Sequence, residues 1–143
     1  DDFTAAAETF KQALAIDLGD AGLKAITQLR YAKTLLATGD ADAALSEANN
    51  DMPSSFEASQ QELLGDIYLA QDNKESAIKS YNNAWELLRS RQETRAVLAL
   101  KMESLGITPE PIAGPTSLIQ ESATPEQPLV VENSENTSVE AAQ

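Results

Sequence analysis

The sequence has no cysteine and no histidine among its 143 residues. Disulfides, thiol nucleophiles, zinc sites built on Cys or His and every triad that needs an imidazole are therefore excluded. Aromatic residues make up only 5% of the chain, a composition that suits Ala-rich packed helices better than a β-sandwich. Positive charge is scarce as well: ten Lys and Arg stand against 23 Asp and Glu, for a net charge of −13. That balance argues against nucleic acid as a partner, because neutralising phosphates requires clustered Lys and Arg. A peripheral site on anionic lipid would need the same clusters. No apolar run approaches the roughly 20 residues that cross a bilayer. The chain begins at Asp1 rather than Met and is expected to be a piece of a longer protein, so a missing anchor here says little about the whole.

What is present divides near Gly106 into two regions, 1–106 and 107–143. All Lys and Arg precede Gly106, while Glu110, Glu121, Glu126, Glu132, Glu135 and Glu140 follow it. The second region is rich in Pro, Ser, Thr and Glu and is expected to be a disordered acidic tail, since it cannot bury enough apolar surface to order itself. Its short apolar pieces, Ser117-Leu118-Ile119 and Pro128-Leu129-Val130-Val131, are candidate docking segments.

In the first region apolar residues recur at helical spacing, and five or six helices are expected. The first covers about 3–17, with Phe3, Ala6, Phe10, Ala13 and Leu14 on one face. Asp20 and Asp40 are placed to cap the second and third helices, which end near Gly39 and Pro53. Ser54 with Glu57, and Ser90 with Glu93, have the Ser-x-x-Glu spacing of a capping box and are expected to open the fourth and sixth. A further helix runs from about Glu75 to Leu88, and the last ends at Gly106.

A shift of 33 residues superposes two helix pairs. Tyr31-Ala32 falls on Leu64-Gly65, Leu35 on Tyr68 and Ala44 on Ala77, and the turn after Leu36 falls on the turn after Leu69. A period near 34 with two helices per unit marks a tetratricopeptide array. From Ala58 onward, Leu64-Gly65, Tyr68, Ala77, Tyr81 and Ala84 occupy the family's characteristic positions, with Gln61 and Arg89 in place of its Trp and closing Pro. Gly65 in mid-helix costs roughly 1 kcal/mol relative to Ala. The repeat supplies a reason: Gly65, Ala77 and Ala84 are expected where the paired helices approach closely, with Tyr68 and Tyr81 filling gaps between pairs. The first helix fits the second half of a unit whose partner is missing, and Leu98, Met102 and Leu105 share one stripe of a C-terminal capping helix. The fold expected is all-α, a solenoid of helical hairpins.

No constellation for catalysis, metal or cofactor accompanies this scaffold. Asp40 and Asp42 start like a calcium loop, but Ala44 and Leu45 stand where an oxygen ligand and the turn Gly are needed. Glu62 and Asp66 lie one turn apart without a nucleophile, metal set or phosphate loop beside them, so the chain is expected to be a non-enzyme. The concave face of such an array comes from the first helix of each pair. Its positions give Ile26, Leu29, Lys33 and Leu36 in one unit and Ser59, Glu62, Asp66 and Leu69 in the next. An apolar strip through Leu29, Leu36 and Leu69, edged by Lys33 and acids, suits an extended or helical protein segment with apolar anchors. The same leucines also suit packing between repeats, and spacing does not separate the two.

Three stretches carry a narrower likeness: residues 23–45, residues 62–85 and Leu98-Ala99-Leu100-Lys101-Met102-Glu103-Ser104-Leu105-Gly106-Ile107. In that order and spacing, residues 1–107 resemble the C-terminal part of the YfgM-like family, the ancillary subunits of the bacterial SecYEG translocon. The resemblance implies a protein-interaction module on the periplasmic side of the inner membrane, held by an N-terminal anchor that lies outside this chain. The partners it implies are the SecYEG translocon, a membrane-anchored periplasmic chaperone of the prolyl-isomerase type, and exported clients. The acidic tail is not expected from that family. The alternative is a soluble tetratricopeptide scaffold or adaptor in another envelope or cytoplasmic assembly.

Overall fold

A computed structural model describes residues 2–17 and 19–112. Six α-helices follow one another: α1 (Phe3–Leu14), α2 (Ala21–Ala37), α3 (Ala41–Ala48), α4 (Glu57–Ala70), α5 (Lys74–Ser90) and α6 (Ala96–Ser104). No strand occurs among the described residues. The all-α expectation holds, and α1 ends sooner than its periodicity suggested.

Short polar side chains start four of the helices by accepting orphan backbone N–H groups. Asp2 accepts from Ala5 (2.9 Å), Asp20 from Leu23 (2.6 Å), Asp40 from Ala43 (3.0 Å) and Asn73 from Ser76 (3.1 Å). Helix ends are equally uniform. Gly39, Asp72, Gln92 and Gly106 take positive φ, and the next amide returns to the carbonyl five residues back: Asp40 to Leu35, Asn73 to Tyr68, Glu93 to Leu88 and Ile107 to Met102. This is a Schellman closure. Asp40 and Asn73 thus close one helix and cap the next, which is why both hairpin turns are so short. The 33-residue shift superposes these two turns residue for residue.

Neither expected capping box forms. Pro53 leads into a 3-10 turn over Ser54–Phe56, so Ser54 lies inside that turn, and neither the turn nor α4 has a side-chain cap. Ser90 is still within α5 and returns its hydroxyl to the Leu87 carbonyl (2.8 Å). The α6 cap is instead Arg95, in extended conformation and without a side-chain capping bond. In both places the spacing was right and the backbone conformation that a cap requires was absent.

Two core clusters lie along the chain. One joins Leu29 and Ala32 of α2 and Ala44 and Ala48 of α3 to Leu63, Leu64 and Ile67 of α4. The other joins Ala77, Tyr81, Ala84, Trp85 and Leu88 of α5 to Leu98 and Met102 of α6. Tyr68 packs against both, between the hairpins as expected. Alanines of α3 and α5 sit within these clusters, and each buried Leu, Ile or Met there contributes about 1.5–3 kcal/mol.

Gly65 does mark a close approach, but its partner differs from the expectation. A Cβ at Gly65 would stand 2.4 Å from Tyr81 Cε1 and 2.5 Å from Cδ1. The Tyr81 ring, fully buried, lies over Gly65 inside the α4–α5 hairpin rather than in a gap between hairpins. Ala77 and Ala84 share the cluster with it.

The last described helix leaves the repeat register. Leu98 and Met102 take the places that Leu63 and Ile67 take one unit earlier, a step of 35 residues, two more than the repeat. Leu100 then falls in the place of Gly65 and is 64% exposed. A leucine there would block the ring contact that closes the preceding hairpin. Residues 107–112, assigned to the tail by composition, lie back on the helices, with Ile107 and Ile112 against the second cluster. Residues 113–143, and with them the rest of the expected tail, lie outside the described residues.

Candidate functional site on the inner helices

The first helices of the units, α2, α4 and α6, form one row: α2 contacts α4, and side chains of α6 reach α4. At the α4–α6 junction, Arg95 Nη1 donates to Glu62 Oε2 (2.8 Å), and Lys101 Nζ to Glu62 Oε1 and Asp66 Oδ2 (both 2.8 Å). Tyr81 donates its hydroxyl to Asp66 Oδ1 (2.6 Å), and Arg95 reaches the Ser59 hydroxyl at 3.4 Å. Lys101 Nζ also stands 5.9 Å from the centre of the Tyr81 ring, within cation–π range.

Two carboxylates and two cations thus share a half-buried site, with the Glu62 side chain only 12% exposed. Burial pushes the Glu62 carboxyl up, but the hydrogen bonds and charges of Lys101 and Arg95 outweigh it and hold the group below its ordinary value. For Lys101 burial acts downward, and the bonds its ammonium donates to Asp66 and Glu62 carry it above its ordinary value. Burial, then the Asp66 bond, raises the Tyr81 hydroxyl, which stays protonated. The arrangement holds α6 to α4 by charge and hydrogen bonding.

The eight residues expected on the concave face separate into three kinds. Ser59, Glu62 and Asp66 come together, and α6 engages all three. Leu29, Leu36 and Leu69 serve the clusters: Leu29 is a core member, Leu36 packs beside it, and Leu69 packs on the second cluster. Ile26 and Lys33 remain exposed on α2, Ile26 at 38%. The residues that sequence reasoning missed are Arg95 and Lys101. The step of 35 residues that α6 follows carries Asp66 onto Lys101, a signal that the 33-residue period does not give.

Among the described residues no group of three or more His, Cys, Asp or Glu is poised to hold a metal. No helix there is long and apolar enough to cross a membrane. Stacked helical hairpins at a 33-residue step, each closed by the same turn, define a tetratricopeptide-type repeat scaffold. The family model described as a tetratricopeptide repeat-like domain matches residues 1–107, and the chain belongs to that family. It is also similar to the ancillary SecYEG translocon subunit of Neisseria gonorrhoeae, with 30% identity over 86 residues, 60% of this chain. The aligned part is 41% of that relative, so the chain spans less than half its length. No solved structure matches the chain.

Proposed function

We propose that this chain is the partner-binding part of an ancillary translocon subunit, acting by protein association rather than by catalysis. The observation that carries the proposal is the similarity to a translocon subunit inside a tetratricopeptide repeat-like domain. In this reading the repeat domain, residues 1–106, stands on the periplasmic side of the inner membrane, anchored through a preceding segment. It links SecYEG to a membrane-anchored chaperone of the prolyl-isomerase type, and exported proteins are its clients. Residues 107–143 form an extension beyond the repeat domain.

The concave face is the proposed contact surface. Ile26 and Lys33 are its exposed members, so they contribute an apolar anchor and a charge to a bound segment. Leu29, Leu36 and Leu69 support that face from beneath. Ser59, Glu62 and Asp66 supply its other end, where α6 already occupies the two carboxylates.

The test is co-purification of the full-length protein with the translocon from detergent-solubilised membranes. Ile26→Asp combined with Lys33→Glu is expected to reduce recovery of translocon subunits several-fold at unchanged helicity. Recovery equal to the wild type would overturn the concave-face assignment, and no recovery with either protein would overturn the translocon reading.

A further inference from the structure

Residues 107–112 read Ile-Thr-Pro-Glu-Pro-Ile. Thr108 and Glu110 each precede a proline, which steers both away from helical backbone, and the prolines have no N–H to offer. Such a segment is recognised through its carbonyls and its side chains. Here the Trp85 indole Nε1 donates to the Glu110 carbonyl (2.8 Å), and the Arg89 guanidinium pairs with the Glu110 carboxylate. Ile107 and Ile112 anchor the two ends on the cluster that contains Trp85. Pro111 helps line an open groove of about 430 Å³ beside Glu86, Arg89 and Gln92. An indole N–H on a backbone carbonyl, with prolines alongside, is the chemistry by which proline-rich segments are held in aromatic grooves.

The same pattern occurs once more downstream. Thr124-Pro125-Glu126-Gln127-Pro128-Leu129 repeats Thr108-Pro109-Glu110-Pro111-Ile112 with one Gln inserted before the second proline. The insertion falls after Glu126, so the Thr-Pro-Glu unit that presents both the carbonyl and the carboxylate is intact. An apolar residue again follows the second proline. We propose that the α5 groove over Trp85 and Arg89 is a docking site for extended Thr-Pro-Glu segments, and that Thr124–Leu129 of the same chain competes with Thr108–Ile112 for it. The chain between Ile112 and Thr124 spans up to about 40 Å when extended, ample for the second segment to reach the groove. Lengthening the closing loop by the 16 residues that separate Thr108 from Thr124 adds only a modest entropic cost. The groove then exchanges two tail segments and leaves one of them free.

Trp85 is the one tryptophan of the chain, so its fluorescence reports the groove directly. In the full chain, Glu126→Lys with Leu129→Ser is expected to leave the emission unchanged. Glu110→Lys with Ile112→Ser is expected to leave it close to wild type, because the second segment moves in. All four substitutions together are expected to shift it to the red, and a peptide of residues 122–131 is expected to restore it saturably where a scrambled peptide does not. A full red shift from Glu110→Lys with Ile112→Ser alone would overturn the proposal, as would failure of the peptide to restore the fourfold variant. A response that depends on protein concentration would overturn docking within one chain in favour of a second copy. Circular dichroism checks that helicity is kept; Pro109→Ala, Pro111→Ala, Pro125→Ala and Pro128→Ala together empty the groove more mildly if it is not.

Discussion

Gly65→Ala is expected to destabilise the protein although Ala is the better helix former. Propensity alone favours Ala by about 1 kcal/mol. The added methyl would meet the Tyr81 ring at 2.4, 2.5 and 2.9 Å from Cε1, Cδ1 and Cζ. The ring cannot step aside freely, because it is fully buried and its hydroxyl is tied to Asp66 at 2.6 Å. Overpacking of this kind costs about 1–3 kcal/mol, and loosening a hydrogen bond to a carboxylate about 1.5–3 kcal/mol more. The net expectation is a loss of about 1.5–5 kcal/mol, and each kcal/mol lowers the melting temperature by about 4–8 °C in a domain near this size. Thermal unfolding followed by far-UV circular dichroism measures it. In a Tyr81→Leu background the clash is gone, and Gly65→Ala should become neutral or stabilising. A rise in melting temperature for Gly65→Ala in the wild-type background would refute the close-approach argument.

Further expectations concern the charge site and the helix ends. Lys101→Met removes the cation shared by Glu62 and Asp66 and should cost about 1–3 kcal/mol, read as a lower urea midpoint. Because the Glu62 carboxyl is held below its ordinary 4.5, its stabilisation is present above that pH and is lost as pH falls through the folded value. Glu62→Gln should flatten that acid limb. The raised Lys101 and Tyr81 groups contribute below their ordinary 10.5 and 10.0, and stability should fall as pH rises beyond 10. Gln92→Gly should stabilise by up to about 1 kcal/mol by relieving a positive φ at a non-glycine residue, with a smaller gain at Asp72, whose side chain tolerates that conformation. Asp40→Ala and Asn73→Ala should each cost about 1 kcal/mol, whereas Ser54→Ala and Ser90→Ala should be near neutral.

Much of the scaffold was legible because local chemistry and periodicity agreed. Asp20 and Asp40 capped where their spacing said they would, and the 33-residue shift predicted two equivalent turns that the backbone then closed in the same way. The capping boxes failed because a four-residue pattern carries no information on whether the chain is extended at its first member. Ser54 follows a proline into a 3-10 turn, and Ser90 belongs to the helix before. Gly65 signalled close approach, yet the small residues on α5 suggested an alanine partner, while the space is filled by the Tyr81 ring.

The inner face was harder to foresee. Glu62 and Asp66 looked like a solvated or partner-facing pair because their cations lie more than 30 residues away on α6. Two extra residues before α6 rotate it out of the repeat register, so the burial of Leu98 and Met102 follows a step of 35 rather than 33. Periodicity places residues on a face. It does not say which charges of a neighbouring helix will reach across.

The most direct test of the account is a photo-crosslinking amino acid placed at Lys33 on α2, in the full-length protein in cells, with exposed Lys79 on α5 as the control position. Crosslinks to a translocon subunit are expected from position 33 and none from position 79. Crosslinks to the translocon from position 79 with none from position 33 would contradict that expectation.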